Sequence, residues 1–147
     1  MNCQKNRDVM FIICSVLIPL LLGAYIYIYW DTDSYFGNAA RRLLMIPESD
    51  MNTGLRRIMR NWGCDFLYGY AMFYALYAST KRVSVSIQYA VACSIGIESM
   101  QLIKIDYLKC GTFDIVDIMV EIAAICLGAT VLSYYNQKMK KGGDNCE

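Results

Sequence analysis

Five acidic residues stand at spacings that could do chemistry. Asp114, Asp117 and Glu121 follow one another at i, i+3 and i+7, which on a helix sets three carboxyls on one face. Ser94, Glu98 and Gln101 have the same kind of spacing, and so form a second polar face. Asp65 leads a third stripe with Tyr68, Gly69 and Met72. Carboxyls withdrawn from water select amines and hydroxyls, and neighbouring acids share protons. Arg56, Arg57 and Arg60 lie upstream of Asp65 and are candidate charge partners.

The elements that must hold these groups are apolar. Of the 147 residues, 56% are hydrophobic and 18% charged, and the apolar residues are gathered into runs. Val9 to Trp30 carries no charge over 22 residues, and about 20 apolar residues in a helix cross the hydrocarbon core. Phe66 to Thr80 and Val83 to Ile97 are also uncharged, and Ile115 to Tyr135 is interrupted only by Asp117 and Glu121. These runs predict an all-α membrane protein with four transmembrane helices, roughly 9–30, 62–80, 83–103 and 114–135, in one domain. Pro19 should kink the first helix, and Tyr25, Tyr27, Tyr29 and Trp30 resemble an interfacial belt. The polar segment 31–61 could hold short interfacial helices at 38–46 and 54–62. Residues 136–147 read as a polar tail with a disordered end.

Composition closes off several classes. There is no histidine, which excludes Ser-His-Asp and Cys-His catalysis and HExxH metal sites. The seven cysteines stand at 3, 14, 64, 93, 110, 126 and 146 without a CxxC pair, so neither a zinc site nor a disulfide framework is expected. Cys64 and Cys110 share the acidic side and could pair if it is extracytoplasmic. A net charge of +1 excludes a basic nucleic-acid binder. No cofactor and no metal is expected, and no residue is assigned a catalytic role.

Alternating helices bring the acids to one end. The second helix starts where the third ends and the fourth begins, so Asp65, Glu98, Asp114, Asp117 and Glu121 gather toward one membrane face. Glu121 lies about 10 Å along the helix from Asp114. A charged acid at a helix centre costs about 2.5–3.5 kcal/mol on insertion scales, so this side chain should face the bundle interior. Ala124 and Gly128 continue its stripe with small residues that admit a neighbouring helix. Asp114 and Asp65 could instead act as caps.

Orientation follows from basic residues. Lys5, Arg7, Lys81, Arg82, Lys138, Lys140 and Lys141 fall on one side, and Arg41, Arg42, Arg56, Arg57, Arg60, Lys104 and Lys109 on the other. The first set lies in short segments near helix ends, where the positive-inside rule is strongest. Both termini are therefore expected on the cytoplasmic side of a multi-pass protein of the cell membrane.

The acid-bearing segments resemble the VanZ-like family of small bacterial membrane proteins. The likeness lies in Glu98-Ser99-Met100-Gln101, then Gly111-Thr112-Phe113-Asp114-Ile115-Val116-Asp117, then Gly128. The stretch from Asp65 to Tyr74 is similar to the family's second helix. The family usually has an arginine just before its second acidic motif, where this chain has Thr112, and often an asparagine at the position of Glu121. A D-K-x-x-H-like start to the second helix is common in the family; here Asn61 to Asp65 takes its place. The family's name comes from an accessory factor for resistance to the glycopeptide teicoplanin. The resemblance implies a role at the cell envelope, near a lipid, a lipid-linked precursor or a glycopeptide.

The leading expectation is a non-enzymatic protein that binds a polar or cationic head group through Asp65, Glu98, Gln101, Asp114, Asp117 and Glu121. Two alternatives stay open. One is an intramembrane enzyme acting on a lipid-phosphate or lipid-linked precursor. The other is a small proton-coupled transporter, for which four helices would need a homo-oligomer.

Overall fold

A computed structural model describes residues 2–30, 39, 42–45, 54, 58–102 and 114–143. The described residues are helical, without strands. Helix α1 is Asn2–Trp30, α2 is Cys64–Thr80, α3 is Val83–Leu102 and α4 is Ile115–Gly143. A π-helical turn, Met59–Gly63, leads into α2.

Among the described residues, three stretches are long and apolar enough to cross a membrane: Asn6–Ile28, Val83–Met100 and Ile115–Met139. Helix α2, with 17 residues, packs against each of the other three. Its Phe73 and Tyr74 are fully buried, in a cluster with Ala90, Ile125, Ala129 and Leu132. The buried Tyr74 hydroxyl donates to the Gly128 carbonyl at 3.1 Å, which satisfies a polar group in an apolar surround.

The bundle differs from a water-soluble one in its apolar exterior and in the polar groups that join its apolar core. On α3 the buried positions are Ser86, Ala90, Ser94 and Glu98, each four residues apart, while Tyr89, Ile95 and Met100 face out. Leu21 on α1 is 68% exposed and Met119 on α4 65%. Apolar residues outside and hydroxyls and carboxyls inside are what a hydrocarbon solvent demands. This is a membrane protein.

The helices alternate in direction. The Cys64 thiol points to the Gly23 carbonyl at 3.6 Å, while Phe11 meets the Tyr74 ring at 5.7 Å, so α1 and α2 are antiparallel. Gly69 abuts Glu121 and Phe73 abuts Gly128, so α2 and α4 are parallel. A tight hairpin joins α2 to α3. There Lys81 takes a left-handed φ of 56° and its N–H returns to the Tyr77 carbonyl at 2.9 Å, which closes the helix. The Thr80 and Ser86 hydroxyls lie 2.7 Å apart across this turn.

Residues far apart in sequence close the opposite pair of ends. The Tyr135 hydroxyl donates to Asp8 Oδ1 at 3.0 Å, and its ring stacks on Phe11 with centroids 4.1 Å apart. The start of α1, the Lys81–Arg82 turn and the later turns of α4 therefore share one end of the bundle.

Two boundaries differ from expectation. Helix α1 begins at Asn2 instead of near 9, and α4 continues to Gly143 instead of stopping near 135. Gln4, Lys5 and Arg7 at one terminus, and Gln137, Lys138, Met139, Lys140 and Lys141 at the other, are straight-chain helix formers. They prolong each helix past its apolar stretch, so the polar tail is helical through 143; the end expected to be disordered lies outside the described residues. Of the proposed interfacial helices at 38–46 and 54–62, residues 39, 42, 43, 54 and 58 are helical, 44–45 form a turn and 59–62 belong to the π turn, while 38, 40–41, 46 and 55–57 lie outside the described residues.

Candidate functional site

At the end of the bundle opposite Asp8 and Tyr135, three helices bring their acids together. Asp65 lies in the first turn of α2. Gly63 before it keeps helical dihedrals, φ −66° and ψ −41°, and no side chain caps this end. The Asp65 carboxyl lies close to that of Asp117 on α4, with Glu121 and Glu98 within electrostatic reach. Glu121 is in turn close to Ser94, Glu98 and Asp117.

The two glutamates are the deep members. Glu98 and Glu121 are each only 4% exposed, so Glu121 faces inward, as its desolvation cost requires. Ser94, fully buried one turn below Glu98, lies beside the Glu121 carboxyl. Yet neither Ser94 Oγ nor Glu121 Oε2 completes a hydrogen bond of good geometry among the described residues. Buried polar atoms are usually satisfied, so these two mark a place suited to a polar visitor.

Close helix approach makes the convergence possible. A Cβ on Gly69 would stand 2.9 Å from the Glu121 carbonyl oxygen. Only a glycine lets α2 reach the α4 backbone here. Farther along, Gly128 accepts the Phe73 ring in the same way, its own would-be Cβ 2.9 Å from Phe73 Cδ1. The small-residue stripe through Ala124 and Gly128 thus faces α2.

Asp114 is set apart. It precedes α4, is exposed, and its Oδ1 accepts the Val116 N–H at 2.9 Å while its carbonyl accepts the Asp117 N–H at 3.2 Å. These are the bonds of an N-cap. It stands next to Asp117 electrostatically but serves its own helix first. Gln101 is in the last turn of α3, and Arg60 in the π turn, with their side chains outside the described set; Arg56, Arg57 and Cys110 lie outside it altogether. Among the described residues no three Cys, Asp or Glu side chains are arranged to hold a metal ion.

Sequence reasoning missed one neighbouring feature. A groove of about 230 Å³ runs between α1 and α2, lined by Pro19, Leu20, Ala24, Cys64, Leu67 and Tyr68 among others. Tyr68 also lies near Glu121, so it stands between groove and acids. The small residues Gly23 and Ala24, one turn beyond Pro19, are the signal that could have revealed it.

Fold and site together define an all-helical membrane protein with carboxyls from three helices clustered at one end. Comparison of the chain with protein-family models, with curated proteins and with solved structures gives no match.

Proposed function

We propose that this chain is a VanZ-like, multi-pass protein of the cell membrane that binds a cationic or hydroxyl-rich head group at its acidic end. In this reading α2, extended by the π turn, is a fourth spanning helix. The basic end, with Arg7, Lys81, Arg82 and Lys138, faces the cytoplasm under the positive-inside rule. The acids then face the envelope, where a lipid, a lipid-linked precursor or a glycopeptide of the teicoplanin type is within reach.

One observation supports this reading above the others. Asp65, Glu98, Asp117 and Glu121 converge from three helices, and the buried Glu121 Oε2 and Ser94 Oγ lack hydrogen-bond partners among the described residues. Carboxyls gathered this closely repel one another when ionised, and a cation among them relieves that repulsion. An ammonium group supplies three donors and a positive charge in one compact head. Charge-assisted bonds of this kind are about twice as strong as neutral ones.

The test is a susceptibility assay with teicoplanin in cells expressing the chain or its Asp117→Asn variant. The intact chain should raise tolerance, and the variant should lose that gain while inserting into the membrane at equal level. Equal tolerance from both, at equal expression, would contradict a binding role for the acids.

A further inference from the structure

Helix α3 is polar on two sides. Its buried side carries Ser86, Ser94 and Glu98, and the helix packs against α2 and α4. Its outer side carries Gln88, Ala92, Ile95 and Ser99, all exposed. They stand at i, i+4, i+7 and i+11, one face of a helix, with Gly96 beside them. We propose that this outer face is a dimer interface. The α3 of one chain pairs with the α3 of a second copy, and the two Gln88 carboxamides bond each other across a two-fold axis.

The carboxamide carries the inference. Gln88 lies within the spanning stretch that begins at Val83, about 7.5 Å along the helix axis from its start. In a lone chain this exposed position faces hydrocarbon, where a polar group without a partner is costly. A serine can return its hydroxyl to its own helix, as Ser99 does to the Ile95 carbonyl at 2.6 Å. Such local backbone bonds belong to short polar side chains, so the longer glutamine looks to another chain. A carboxamide is donor and acceptor at once, and a second carboxamide completes it in a reciprocal pair of N–H···O bonds. Lipid tails offer neither half. All copies insert in the same direction, so two in contact share a two-fold axis along the membrane normal, and beside that axis each residue meets its own counterpart. The rest of the face permits the approach, because Ala92, Gly96 and Ser99 are small. Nothing lies within 4 Å of a Cβ built on Gly96, so its own bundle gives no reason for a glycine there. A second copy would fill that space, as Glu121 and Phe73 do at Gly69 and Gly128 within the chain. Helix α3 is also the least apolar of the three spanning stretches, as suits a helix covered by protein on both sides. Glu98 points away from the pairing face, so the two acidic clusters stay separate.

The experiment places the full chain, as donor- and acceptor-labelled copies, in phosphatidylcholine vesicles. Energy transfer should fall as lipid is added, along the curve of a monomer–dimer equilibrium. Gln88→Leu should weaken association about threefold to thirtyfold, the equivalent of a hydrogen bond between transmembrane helices. Gln88→Asn keeps a carboxamide and should lose less. Gly96→Ile should also weaken pairing, and its Cβ meets nothing within the chain, so folding is spared. Met119→Ala, at an exposed position of α4, should change nothing. A second measurement uses single cysteines in a background lacking the native ones. Oxidation should join copies through positions 92 and 99, and not through position 21 on α1 or 119 on α4. A chain that stays monomeric at every lipid ratio overturns the proposal. So does a dimer indifferent to Gln88→Leu, or one that cross-links through α1 or α4. Monomers in vesicles together with a different protein held on this face in native membranes would also overturn self-pairing.

Discussion

Gly69 on α2 meets the backbone of Glu121 on α4, so closely that an added Cβ would lie 3.0 Å from the Glu121 Cα. One of the two deepest acids of the cluster is therefore set by a residue with no side chain. The contact lies at backbone level, and no rotamer change can relieve it.

Gly69→Ala should force the two helices apart at the acids. Overpacking of this kind costs about 1–3 kcal/mol, measurable as reduced resistance to unfolding in detergent. Gly96→Ala is the matched control, because nothing lies within 4 Å of its would-be Cβ. That variant should be neutral or gain about 0.5–1 kcal/mol from helix propensity.

Glu121→Gln should separate stability from binding. The amide keeps the shape and removes a buried charge, and removing buried charges is often neutral or stabilising. Thermal stability should hold or rise. Affinity for a small amine should fall about tenfold to a hundredfold, the equivalent of one charge-assisted hydrogen bond. Calorimetry with ethanolamine reads the second quantity, and undiminished affinity would remove Glu121 from the site.

Tyr135→Phe should loosen the other end without touching the acids. It removes the hydrogen bond to Asp8 and leaves the stack on Phe11, costing about 0.5–1.5 kcal/mol. Tyr135→Ala should lose a further contribution of about 0.5–1.5 kcal/mol from the ring pair. A double-mutant cycle with Asp8→Asn isolates the first term. Amine affinity should be the same in all of these variants.

Single cysteines introduced at Lys81 and Asp114, in a background lacking the native ones, should react with an impermeant maleimide from opposite sides of the membrane. The Lys81 site should be shielded in intact cells and the Asp114 site open. Labelling of both from one side would break the alternation of helices on which the convergence depends.

Much of the bundle was legible because hydrocarbon imposes a simple rule on sequence. Uncharged runs located the middles of α1, α3 and α4, and the spacing of Ser94 and Glu98 identified the inward face of α3. The stripe from Asp117 through Glu121, Ala124 and Gly128 likewise identified the face of α4 turned to α2. Helix ends were less legible. Lys138 to Lys141 read as a polar tail, yet such residues extend a helix once water accepts their charges. Asp114 carried two readings, and its bond to the Val116 N–H favours the cap. Long-range contacts had no local signal: Tyr135 and Asp8 are 127 residues apart, and nothing near either one names the other. The π turn at Met59–Gly63 was equally silent, since its residues suit an ordinary helix as well.

The most direct test of the acidic cluster is carboxyl NMR of the full chain, labelled at Asp and Glu side-chain carbons, titrated with ethanolamine. Asp65, Glu98, Asp117 and Glu121 should shift together along one binding curve, while Asp8 at the far end stays still. Independent movement of the four, or shifts confined to exposed carboxyls such as Asp114, would contradict a shared site.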